Sequence, residues 1–218
     1  VWNPETDSLV VRPYGDRTIE EKAVNKEWLQ ERCKLPVDTA IPVVGMVSRL
    51  VDQKGCDILI ESIGKLVQTG IQLIILGIGE PKYHAELQKA MRAHPSFLSA
   101  NLTFDETLAH RIYAGSDMFL MPSRYEPCGL GQMIALRYGA IPVVHSTGGL
   151  ADTVTPENGF VFCEYSSPAL VEAVRRAVAA FGDKGRWQSL ITQGMCSRFS
   201  WQASARQYRD LYEQAFKL

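Results

Sequence analysis

Two cations, Arg49 and Lys54, stand on the stretch SRLVDQKG, and a carboxylate, Glu126, stands in SRYEPCGLG just ahead of a glycine-rich turn. Those residue types suit a polyanion that also carries hydroxyl groups. Arg49 and Lys54, with Gly55 at a helix start, could reach the two phosphates of a diphosphate. Glu126 either caps the helix that follows or accepts hydrogen bonds from sugar hydroxyls. The amides of Gly129, Leu130 and Gly131 then donate to phosphate or hydroxyl oxygens at the positive end of that helix. A further turn, STGGLAD, sets Thr147, Gly148 and Gly149 before a short helix and offers more amides to an anion. GIGEPK resembles the start of a dinucleotide fingerprint, but Lys82 takes the place of its third glycine, so Gly77 and Gly79 are expected to let backbone approach backbone. Against each assignment stands a plain one: solvated loop charges for the cations, a cap for Glu126, ordinary turns for the glycines.

These residues need a frame, and the apolar pattern supplies one. The runs at 41–48, 71–79, 97–104, 117–123, 141–147 and 159–164 are continuously apolar rather than alternating, as strands buried on both faces should be. Helical stretches separate most of them. Ile58, Ile63 and Leu66 share one face of the first, and Leu108, Ile112 and Tyr113 one face of another, with Gly70 and Gly115 as C-terminal stops. The alternation predicts an α/β fold: a doubly wound, parallel, Rossmann-like sheet with helices on both faces, occupying about residues 40–165. From about 166 to 218 the pattern is purely helical, with Ser167 and Pro168 at the cap and first position. Ligands of such sheets bind outside the carboxyl ends of the strands, where all these chemically varied loops fall.

The chain's 218 residues, 46% hydrophobic, can bury one large core. A net charge of -1 exerts no pull on nucleic acid or an anionic membrane, and no apolar run is long enough to span a bilayer. Cys33, Cys56, Cys128, Cys163 and Cys196 form no CxxC pair, so neither a disulfide framework nor a metal site is expected, and a reducing compartment is the simpler reading. The opening VWNPETD, without Met, reads as a cut from a longer chain.

SRLVDQKG, DETLAHRIYAGSDMFLMPSRYEPCGLGQM, GGLADTV, GFVF and FSWQASARQYRDLY resemble, in order and over nearly the whole chain, the C-terminal domain of the bacterial glycogen synthase and plant starch synthase family. The resemblance implies one half of a two-domain GT-B glucosyltransferase, the N-terminal acceptor domain being absent from this chain. It implies ADP-glucose or ADP as ligand, retaining transfer to the nonreducing end of an α-1,4-glucan, no cofactor beyond that donor, and a home in bacterial cytoplasm or plastid stroma. By it, Arg49, Lys54 and Glu126 are the catalytic set, the cations on the diphosphate and the carboxylate beside glucose. Cys128, Gly129, Leu130, Gly131, Thr147, Gly148 and Gly149 line the substrate, and Phe104 either stacks on adenine or ends a strand inside the core. Two departures stand out: Ile134 occupies the place where related transferases carry a second glutamate, and Gly131 replaces a small hydroxyl residue. No carboxylate pair suited to double displacement is recognisable, so a front-side reaction is expected, in which the phosphate helps take the acceptor's proton. A noncatalytic nucleotide- or sugar-binding module is the alternative. An oxidoreductase module is disfavoured by the broken fingerprint.

Overall fold

The computed structural model describes residues 2–197, 199 and 201–216. Among them six strands form one sheet: β1 (Val43–Val47), β2 (Gln72–Leu76), β3 (Leu98–Asn101), β4 (Met118–Met121), β5 (Ile141–His145) and β6 (Phe160–Phe162). Their order is β3-β2-β1-β4-β5-β6 and every pairing is parallel. The chain therefore winds outward from β1 to β3, crosses back, and winds outward again from β4. The reversal falls between β1 and β4, where the loops leaving the two strands diverge onto opposite faces and open a crevice.

The helices are α1 (Lys22–Arg32), α2 (Cys56–Val67), α3 (Pro81–Ala93), α4 (Glu106–Gly115), α5 (Gly131–Arg137), α6 (Gly148–Thr153), α7 (Ser167–Gly182), α8 (Lys184–Cys196) and α9 (Trp201–Ala215). α2, α3 and α7 cover one face of the sheet, and α4, α5 and α8, backed by α1, cover the other. β1, β2, β4 and β5 are buried between these layers as expected, whereas the edge strand β3 is buried only at Leu98, and Ile58, Ile63, Leu66, Leu108, Ile112 and Tyr113 face inward as their spacing requires. Each such side chain contributes about 1.5–3 kcal/mol on leaving water. α7 packs on α2, β5 and β6, so the change of pattern near residue 165 is no break in packing. None of the helices is long and apolar enough to cross a membrane among the described residues.

Several local expectations shift. The strand ladders are shorter than the apolar runs, since those runs continue into the loops at the strand ends. The N-cap of α7 is Ser166, whose hydroxyl accepts from the Ala169 amide at 3.4 Å, and Ser167 instead bonds the Ser62 hydroxyl at 2.9 Å. Gly70 ends its helix with φ +81, as a C-terminal stop should. Gly115 does not act this way. A Cβ there would lie 2.7 Å from the Asn25 carbonyl and 2.9 Å from Leu29, so this glycine lets α1 close on α4.

Candidate functional site

The loops at the carboxyl ends of the four central strands interlock backbone to backbone. A side chain at Gly77 would strike the Ser48 carbonyl, and one at Gly79 the Leu50 carbonyl. Gly55, held at φ +75, packs on the Pro122 carbonyl, while Gly148 and Gly149 pack on the carbonyls of Glu126 and Cys128. Hydrogen bonds reinforce these contacts: Leu50 N–H to Ile78 O at 2.8 Å, Glu80 N–H to Leu50 O at 2.9 Å, and Gly149 N–H to Glu126 O at 3.0 Å. The loop after β2 thus rests on the loop after β1, which rests on that after β4, which rests on that after β5. Only residues without Cβ can bring main chains this close.

This arrangement brings Lys54 and Glu126 together. The Lys54 ammonium donates to the Glu126 carboxylate in a largely buried ion pair, with side chains 19% and 10% exposed. The Ser123 hydroxyl donates to the same Glu126 oxygen at 3.2 Å. No capping bond joins Glu126 to α5. The turn CGL stands outside that helix, which begins only at Gly131. Gly129 turns with φ +74, and the buried Gln132 amide pins the turn by donating to the Cys128 and Gly129 carbonyls at 3.2 and 3.0 Å and to the Thr153 hydroxyl at 3.1 Å.

Lys54, Glu126, Gly129, Leu130 and Gly131 line a cleft of about 200 Å³. Arg49 and Phe104 line an adjoining part of about 420 Å³, and the two parts share Val47, Ser48 and Tyr113. The Arg49 guanidinium donates to the Gln53 side chain at 3.0 Å. Phe104 is 81% exposed, so it is not the strand-end core residue of the plain reading. Thr147 and Gly148 stand at the start of α6, and Cys128 is an exposed free thiol. The Gly149 amide, offered above to an anion, is spent on the Glu126 carbonyl.

Several residues in and behind the cleft escape sequence reasoning. Trp2 reaches the Arg49 part from the far end of the chain, stacked on His110 with centroids 3.7 Å apart. His110 in turn meets the buried Asp7 carboxylate at 2.6 Å, which also accepts from Tyr138 at 2.5 Å. These bonds hold the Asp7 carboxyl below its ordinary value against the opposing effect of burial. Asp52, beside Lys54, is held low by the Lys82 ammonium at 2.8 Å and by the Tyr83 hydroxyl. Nothing local marks Trp2 or Asp52, because their partners lie tens of residues away. An apolar groove of about 700 Å³ along Trp2, Leu130, Ile134, Met195 and Phe199 opens alongside.

Taken together, this is a parallel sheet whose reversal point carries two cations, a carboxylate and an exposed aromatic ring. Its likeness to known proteins runs the length of the chain. The glycogen synthase of Geotalea uraniireducens is 50% identical over 222 aligned residues, covering 99% of this chain and 46% of that protein. The glycogen synthase of Thermosipho melanesiensis is also 50% identical, with 98% and 46% covered. The chain thus spans about half the length of the curated relatives it matches. Among solved structures, the catalytic domain of starch synthase IV from Arabidopsis thaliana, bound to ADP and acarbose, superimposes with a TM-score of 0.89 at 34% identity, over 100% of this chain and 47% of that one. The family model for the group 1 glycosyl transferases matches residues 41–180, from the entry to β1 nearly to the end of α7, and the chain belongs to that family as one Rossmann-like half of the GT-B fold.

Proposed function

We propose that this chain is the donor half of a retaining glucosyltransferase, which passes glucose from ADP-glucose to the nonreducing 4-hydroxyl of an α-1,4-glucan. The observation that carries the reading is the Lys54–Glu126 pair at the β1/β4 reversal, with Arg49 and Phe104 in the adjoining cleft. Its likeness to a starch synthase domain whose structure holds ADP supports a nucleotide there. Phe104 offers a ring face to adenine, and Arg49 and Lys54 oppose the charge that grows on the departing diphosphate. Glu126 aims Lys54 and accepts hydrogen bonds from glucose, while the Gly129–Gly131 turn and the start of α6 close on the phosphate side. Transfer breaks the bond from glucose C1 to the phosphate oxygen and forms one to the acceptor oxygen on the same face. The acceptor proton passes to the diphosphate, so no second carboxylate is required. A second domain supplies the acceptor site.

Calorimetric titration of the chain with ADP, UDP and NAD tests the donor assignment. We expect measurable binding of ADP, weaker binding of UDP and none of NAD. Binding of NAD in preference to ADP would sink the reading. Glucan elongation is expected only when the chain is joined to an acceptor domain, because a closed cleft is needed to place the acceptor and exclude water.

A further inference from the structure

Arg124 stands two residues before Glu126 and lines neither part of the cleft, yet it converges on the loop that carries both cations. Three consecutive residues of that loop are each tied to a different place. Asp52 is bound by Lys82 and Tyr83 of α3, the Gln53 carbonyl accepts the Arg124 amide at 2.9 Å, and Lys54 meets Glu126. The Arg124 guanidinium then reaches past this loop to Asp57, in the first turn of α2, at 2.6 Å. It lies on the Tyr165 ring, 4.5 Å from its centroid, and the Tyr165 hydroxyl donates to the other Asp57 oxygen at 2.5 Å. The hydrogen bond to Asp57 and the neighbouring Tyr165 raise the guanidinium's already high pKa, and burial and Asp57 raise that of Tyr165, so the arginine stays charged and the phenol keeps its proton.

An isolated ion pair as exposed as this one, 53% at Arg124 and 33% at Asp57, contributes little. Here, however, the guanidinium meets a carboxylate at its edge and an aromatic ring on its flat face at once, a combination lysine cannot reproduce, while the Arg124 amide holds the Gln53 carbonyl. We propose that Arg124, with Asp57 and Tyr165, is a positioning residue: it fastens the turn after β4 to the loop after β1 and so holds the Lys54 ammonium where the donor's diphosphate meets it. The proposal rests on the donor-site reading above.

The test is a double-mutant cycle on ADP affinity, read by calorimetry on the folded chain. Arg124→Ala should weaken binding about 10-fold in the parent and about 2-fold or less in the Lys54→Ala background, since coupled residues are non-additive. Arg124→Lys should lose as much as Arg124→Ala. Tyr165→Phe, which keeps the ring and drops one hydrogen bond, should lose about 3-fold and stands in if Arg124→Ala does not fold. Equal losses in both backgrounds, no loss in the parent, or full restoration by Arg124→Lys would overturn the proposal. If the parent does not bind ADP, or Lys54→Ala binds it as the parent does, the donor-site reading itself fails and takes this one with it.

Discussion

Lys22 and Lys54 each hold an ammonium among oxygen atoms, on opposite sides of the same core. Lys22 is buried where α1 meets α4 and α5, and its three N–H groups face the carbonyls of Ala114 at 2.7 Å, Tyr138 at 3.0 Å and Tyr113 at 3.2 Å. Lys26, one turn on, is held instead by the Asp117 carboxylate and the Thr39 carbonyl, both at 2.7 Å. Lys54 has its bond to Glu126, at the wall of an open cleft, and donors left to give. On the proposed donor-site reading, the difference separates charges that serve the fold from a charge kept for a ligand. The former are buried and held by main-chain carbonyls, joined at Lys26 by the Asp117 carboxylate, whereas the latter is paired once, by a side chain that can share it.

The contrast breaks most sharply at Asp117. Its carboxylate also accepts the Val43 amide at 2.8 Å, so Asp117→Ala strands a buried ammonium and a strand N–H together. Denaturant titration should show a loss of about 3–5 kcal/mol, with ADP affinity of the remaining folded chain unchanged. Glu126→Gln should do the reverse. In a two-domain enzyme completed with the acceptor half of a glycogen synthase relative, turnover should fall at least about 100-fold while ADP affinity and melting temperature change far less, because glutamine keeps an oxygen that accepts from the Lys54 ammonium. Near-normal turnover would return Glu126 to a purely structural role.

Lys54→Ala and Arg49→Ala come next, each expected to weaken ADP by roughly 30-fold and to leave adenosine affinity nearly untouched. A large drop in stability with unchanged ADP affinity would place them with Lys22 and Lys26 instead. The smallest effect is in pH. Burial lowers the Lys22 pKa from 10.5 to about 7, with the Asp117 charge partly opposing the shift. Between those values the unfolded chain holds a proton that the folded chain releases, so this lysine's contribution makes stability rise with pH from about 7 toward 10. Lys22→Met should flatten that slope in melting curves taken from pH 7 to 9, and an unchanged slope would assign it elsewhere.

Most of the strands are legible because a strand covered on both faces must be largely apolar, as β1, β2, β4 and β5 are, whereas the edge strand β3 carries Ser99 and Asn101 and is buried only at Leu98. The site loops were legible because they depart from that rule at the ends the fold makes available. What escaped was whatever depends on distant partners. α1 carries Lys22, Asn25, Lys26 and Gln30, a set that looks solvent-facing, yet all four are buried. Gln30, for example, donates to the Gln72 side chain at 2.8 Å. Lys54 and Glu126 were each singled out, but nothing in two stretches 72 residues apart says that they touch. Gly115 has the position of a helix stop in the sequence, but its reason is the approach of α1, which no local pattern shows.

The glycine contacts that link the four site loops also govern how this domain can be re-engineered. Gly77 and Gly79, Gly55, and Gly148 and Gly149 each leave the room of one methyl group, and in every case a carbonyl of the neighbouring loop fills it. A graft of one loop from another transferase must therefore match main-chain paths on both sides as well as its own side chains. The four loops are thus best exchanged as a block, or altered one side chain at a time at positions such as Phe104 that face open solvent.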